Sequence, residues 1–124
     1  MSCCRINPGL YGISNHFLDT LWPKVERAKN GLRHCLDSSI DPESLFALLA
    51  DSTRAKDKDL PDTGMGLEWE RILSPVFIKS PDYGTRSSTV ILIDHENRVL
   101  FSERTFDPAG EGCSDVYYEF TIEK

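Results

Sequence analysis

At 124 residues the chain is long enough for one domain and too short for two. Its 14 Lys and Arg against 20 Asp and Glu give a net charge of -6, which excludes the clustered positive surface that nucleic acid or an anionic membrane requires. The apolar fraction of 40 % and charged fraction of 27 % are those of an ordinary globular domain, and no apolar run approaches the roughly 20 residues that span a bilayer.

Met1 to Pro8 have no apolar core and do not read as a signal peptide. Leu10 to Ser14, after the Asn7-Pro8-Gly9 turn, predict a short strand that ends on Asn15 and His16. Pro23 suits a first helical position, with Asp19 or Thr20 as a cap. Val25, Ala28, Leu32, Cys35 and Leu36 then recur at helical spacing to about residue 36, although Asn30-Gly31 weakens the middle. A second helix starts with Asp41 as cap and Pro42 in first position, burying Leu45, Phe46, Leu48 and Leu49. Residues 52–66 predict a long loop, either a solvated connector or a lid.

Leu67 to Leu73 predict a short helix and Val76 to Ile78 a short strand. From Ser80 the chain turns, passes Arg86 among hydroxyl residues, and enters Val90-Ile91-Leu92-Ile93. Four aliphatics in a row predict a central strand covered on both faces. Asp94 to Asn97 make a hairpin turn, Val99 to Phe106 return antiparallel, Asp107 to Ser114 form a turn-rich loop containing Gly110 and Gly112, and Val116 to Ile122 make a last strand. The order is that of an α+β domain with two to three helices on one face of an antiparallel sheet. Nothing in the chain is expected to cover the other face.

Chemistry-bearing residues are few. There is no nucleophile elbow and no Gly-rich phosphate loop, and His16, His34 and His95 are too scattered for a metal cluster. Cys3, Cys4, Cys35 and Cys113 have neither zinc nor disulfide-framework spacing and are expected to be reduced thiols. Asn15 and Arg86 fall at the polar ends of apolar strands, where clefts form. An Asn amide there offers a fixed donor to a developing oxyanion, and an Arg can hold a carboxylate or favour a thiolate. The plain alternative is that Asn15 caps a turn and Arg86 pairs with Asp82 or Asp94.

The stretches Pro8-Gly9-Leu10-Tyr11-Gly12-Ile13-Ser14-Asn15, Leu18 to Val25, Leu60-Pro61-Asp62-Thr63-Gly64, Trp69-Glu70-Arg71, Tyr83 to Thr89 and Tyr118-Glu119-Phe120-Thr121 together resemble the NRDE family, also called the transport and Golgi organisation 2 family. The family in turn resembles the N-terminal-nucleophile hydrolases, whose fold is a four-layer αββα sandwich and whose nucleophile is an amino-terminal Cys, Ser or Thr. The resemblance implies that residues 1–124 are the carboxyl-terminal half of one such domain, a truncated form without the Cys nucleophile and the Asn-Arg-Asp-Glu motif. Asn15 and Arg86 resemble the oxyanion-hole Asn and the site-lining Arg of the related cysteine amidases. Cys3 and Cys4 are followed by Arg5-Ile6-Asn7-Pro8, not by the strand such a nucleophile sits on.

Two functions follow from the resemblance. The first is a role in Golgi organisation, secretion or intracellular haem movement on a hydrolase-like scaffold, with His16, Cys3 and Cys4 as weak candidate haem ligands. The alternative is an amidohydrolase acting on a non-peptide C–N bond, inactive in this half and carrying Asn15 and Arg86. The expected partners are the missing amino-terminal half, or a second copy through the bare sheet face, and haem or a small molecule. No nucleic acid, metal or transmembrane segment is expected, and the compartment is cytoplasmic, Golgi-associated or mitochondrial.

Overall fold

The computed structural model describes residues 3–108 and 112–123. Three α-helices come first, α1 (Pro23–Asp37), α2 (Pro42–Leu49) and α3 (Leu67–Leu73), followed by strands β1 (Ser87–Ile93), β2 (Arg98–Phe106) and β3 (Cys113–Thr121). The fold is α+β, as expected. The sheet is antiparallel in the order β1-β2-β3.

Local chemistry explains the helix starts. Asp41 caps α2 by accepting the Ser44 N–H at 2.9 Å, and Pro42 needs no donor partner. Helix α1 begins at Pro23 as expected, but Trp22 is its cap residue and no side chain caps it. Asp19 is drawn elsewhere: it sits at a left-handed φ of 61° and binds the Gly12 N–H at 3.1 Å and the Lys29 ammonium at 2.7 Å. Gly31 does not interrupt α1. A Cβ there would lie 3.2 Å from Leu48 Cβ, so its bareness lets α1 approach α2 closely.

The core lies between α1, α2 and one sheet face. Cys35, Leu45, Phe46 and Val90 are buried together, with Leu32, Leu48, Leu49 and Leu92 packed around them. Register places Ser88, Val90 and Leu92 of β1 on the same face as Leu100, Ser102 and Arg104 of β2. On the other face Ile91, Ile93, Val116, Tyr118 and Phe120 are each about half exposed or more, Ile91 at 56 % and Tyr118 at 58 %. The helices therefore cover one side only, among the described residues.

Three expectations require correction. Residues 10–14 join no ladder among the described residues, and Gly12 bonds Asp19 instead, through both its N–H and its C=O. Val76 to Ile78 form no strand either: Phe77 N–H bonds to Asp51 O, and Ile78 exchanges bonds with Thr85 instead. Only the bridge Lys79–Gly84 remains there. Finally, β1 is not central. It lies at the sheet edge, and its outward aliphatics are uncovered. The last strand starts at Cys113, earlier than its aromatic pattern suggests. Gly110 of the preceding loop, like Met1 and Ser2, lies outside the described residues.

Asp51 joins the helices to the loop after them. Its carboxylate takes a 2.8 Å bond from Arg27 Nε and one from the Thr53 N–H. The Arg27 bond is the main cause that holds its pKa down to about 2, against an ordinary 3.8. A depressed carboxyl stabilises the fold above its unfolded value and loses that contribution as pH falls through the folded one. Asp51→Asn is therefore expected to cost on the order of 1 kcal/mol at pH 7, discounted for solvent screening. Chemical denaturation of both proteins should show the difference closing as pH drops from 4 towards 2.

Candidate functional site

Residues 14–15, the start of α1, the 60s loop and α3 enclose a cavity of about 550 Å³. Its walls are aromatic: Trp22 comes from the cap of α1, Trp69 from α3, and Tyr83 from the turn before β1. The Trp69 and Tyr83 rings meet edge to face at 6.2 Å. Such edge-to-face contacts fix ring orientation while leaving one face open.

The 52–66 loop forms a wall of this cavity and is pinned to α3 along its length. Arg71 grips Asp57 with two bonds of 2.9 and 2.7 Å, and Ser74 Oγ accepts the Ala55 N–H at 3.0 Å. Glu70, only 6 % exposed, has its Oε1 capped by Thr63 through both the N–H, at 3.1 Å, and the hydroxyl. A buried carboxylate without donors costs several kcal/mol, so the two Thr63 bonds are what make its position tenable.

Lys24, at the start of α1, faces the same cavity and is half-buried. Burial pushes its ammonium pKa below the usual lysine range, while the charge of Glu70 pulls it back up. It makes no hydrogen bond or ion pair among the described residues. The site thus combines three aromatic walls, one capped carboxylate and one amine that feels its charge without an ion pair.

The residues singled out from sequence are split between two neighbouring cavities. Asn15 is exposed and lines the aromatic one. Arg86 lines a second, of about 820 Å³, beside Phe77, Lys79 and Phe106. Ile78 and Tyr83 line both. Arg86 pairs with neither Asp82 nor Asp94, since Asp94 is bound by Arg98 at 2.9 Å. His16 stacks on Trp22, ring centres 5.5 Å apart, and its Nδ1 lies 3.1 Å from Thr20 Oγ1. Cys3, Cys4 and Cys113 are exposed and Cys35 is buried, all as free thiols. Cys3 and Cys4 line none of these cavities.

Residues 2–108 match the family model described as transport and Golgi organisation 2. The chain belongs to this family. Over 95 % of its length it is 30 % identical to the human transport and Golgi organization protein 2 homolog, and 28 % identical to the mouse homolog. The Drosophila melanogaster transport and Golgi organization protein 2 is 31 % identical across 85 % of the chain. The chain spans 46 % of the human and mouse relatives and 41 % of the fly one, less than half in each case.

Five of the six stretches that carry the family resemblance supply residues to the aromatic cavity. Thr63, Trp69, Glu70 and Tyr83 all come from them, as do Trp22, Lys24 and Asn15. None but Asn15 stands out from sequence chemistry, because the partnership of Thr63 with Glu70 and of Trp69 with Tyr83 is visible only once the loop is folded onto α3. Thr63→Val is expected to cost about 1–2 kcal/mol by leaving Glu70 under-satisfied. It should also speed proteolytic nicking of the 52–66 loop. Thermal unfolding and limited proteolysis of the variant check both.

Proposed function

We propose that the chain serves the transport and Golgi-organisation role for which its relatives are named, as a carrier of a small apolar ligand, haem among them. The observation behind this is the aromatic cavity, whose indole and phenol walls suit a flat, hydrophobic guest. His16 stands beside it with an Nε2 that makes no hydrogen bond among the described residues, so it can offer that nitrogen to iron. In this proposal the carrier is hydrolase-like in scaffold, the chain is one half of an αββα sandwich, and a second layer lies over the bare face that carries Ile91 and Tyr118. It acts in the cytoplasm at the Golgi. No described helix is long and apolar enough to cross a membrane.

Both tryptophans of the chain line the cavity, so intrinsic fluorescence reports on any guest. Titration of the chain with haem at micromolar concentration should shift the Soret band and quench the indoles together. His16→Ala should change the band and leave the quenching in place. Absence of both signals would overturn the haem proposal.

One observation favours the hydrolase alternative: the Arg86 guanidinium makes no ion pair among the described residues and borders a cavity. On that alternative Asn15 donates to an oxyanion and Arg86 holds the substrate carboxylate or the thiolate of a nucleophile outside this chain. Complementing the chain with the remaining part of a relative should then give amide turnover that falls on the order of 100-fold in Asn15→Ala. Turnover undiminished in both Asn15→Ala and Arg86→Ala would exclude the assigned roles.

A further inference from the structure

The loop between α2 and α3 divides into two stretches that are held in different ways. As far as Asp59 it is tied at several points. Arg27 Nη2 donates to Thr53 Oγ1 at 3.3 Å, and Ser74 Oγ takes the Ala55 N–H. Asp57, which opens the single helical turn Asp57–Asp59, carries both Arg71 bonds. Past that turn the ties are few. Two bonds of residues 60–65 stay within the loop, from Leu60 N–H to Asp57 O at 3.3 Å and from Gly64 N–H to Asp62 Oδ1 at 3.2 Å. Among the described residues, Thr63 alone bonds this stretch to the rest of the fold, and both its N–H and its hydroxyl go to one oxygen, Glu70 Oε1.

The stretch ends at two glycines on either side of Met65. Gly64 and Gly66 stand at φ of 85° and 91°, and a Cβ at either would meet nothing within 4 Å. No close neighbour excludes a side chain there, so the left-handed backbone itself is what favours glycine. Glycine also crosses between backbone regions at little steric cost, which suits it to absorb the rotations of a moving segment. Pro61, Thr63 and Met65 of this stretch line the aromatic cavity, whereas Trp69 and Leu73 line it from α3. Lifting Thr63 would admit water to Glu70, so opening exchanges two bonds for hydration and strands no charge. Such a release takes far less free energy than unfolding the domain.

We propose that residues 60–65 are a lid on the aromatic cavity, latched by Thr63 on Glu70 and hinged at Gly64 and Gly66, whose opening sets the rate at which a guest enters and leaves. The gating rests on the carrier reading for its guest, while the motion depends only on bonds made within the chain. The Arg71–Asp57 clamp marks where the fixed part of the loop ends and the lid begins.

The test compares the chain with Thr63→Val, which removes the hydroxyl, and Thr63→Ser, which keeps it. Amide hydrogen exchange of the labelled proteins, read by NMR, needs no guest. Relative to its intrinsic rate, the N–H of residue 63 should exchange about five- to thirtyfold faster in Thr63→Val, with Ala55 unchanged and Thr63→Ser close to the unaltered chain. Stopped-flow mixing with haem, followed by indole quenching, then reads the gate. Association and dissociation should both quicken in Thr63→Val by that same factor and leave the affinity within about twofold. Residue 63 and Ala55 speeding up together would mean that the loop opens as a whole, which overturns the lid. Unchanged exchange at residue 63 overturns it too. Faster dissociation with unchanged association would make Thr63 a wall and not a latch, and overturns the gating. A chain that takes up no haem removes the carrier reading and the gating with it, and the exchange comparison still decides whether the lid moves.

Discussion

The seam between α2 and the sheet holds this protein together, and Arg104 sits at its centre. Its guanidinium lies 4.3 Å from the centre of the Phe46 ring, over one of the most buried side chains in the core. From there it reaches Asp115 on β3 with two bonds of 2.8 and 3.0 Å, and Glu43 on α2 at 2.7 Å. The Asp115 and Glu43 bonds, in that order, raise its pKa further above the arginine range, so it is charged at every pH the fold survives. The carboxylates are largely solvated, at 46 % and 76 % exposure, so each ion pair alone contributes little. The larger share comes from the flat cation and its stem covering Phe46, which packing and cation–π attraction both favour.

That seam has only one side. Among the described residues, everything that anchors helices to strands lies on the face of Val90, Ser102 and Arg104, and the opposite face has no such anchor. Fully burying one aliphatic or aromatic side chain is worth roughly 1.5–3 kcal/mol. Ile91, Ile93, Val116, Tyr118 and Phe120 together therefore hold enough unrealised burial to drive association with any complementary layer.

What could be read from the sequence was what is decided locally. Helix α2 is announced by Asp41 and Pro42, and α3 by the apolar spacing of Leu67, Trp69, Ile72 and Leu73, because a helix satisfies its own backbone. Strands depend on neighbours that the pattern does not name. Residues 10–14 have a strand's composition and no described partner, and Val76 to Ile78 found partners in Asp51 and Thr85 instead. The aliphatic run of β1 correctly signalled a strand with two apolar faces, yet could not say which face this chain leaves open. Of the residues lining the aromatic cavity, Asn15 drew notice in the sequence because it ends an apolar run beside polar residues. Lys24 and Glu70 carry no such signal, and only the folded chain sets them in one cavity.

The open features meet at β1. Ile91 turns its side chain onto the bare face and its backbone groups to the free edge, so one residue marks both places where the sheet is unfinished. A cavity of about 480 Å³ beside that edge and the aromatic cavity share Lys24, which lines each. An apolar occupant of either space removes water from the ammonium and drives it towards the neutral amine, whereas a carboxylate in either holds the proton on. Because the same amine is exposed to both spaces, filling one alters the electrostatics of the other without any movement of the backbone. A carboxylate in one space and an anionic guest in the other would then compete for a single cation, and an apolar guest that neutralised the amine would weaken the hold on that carboxylate.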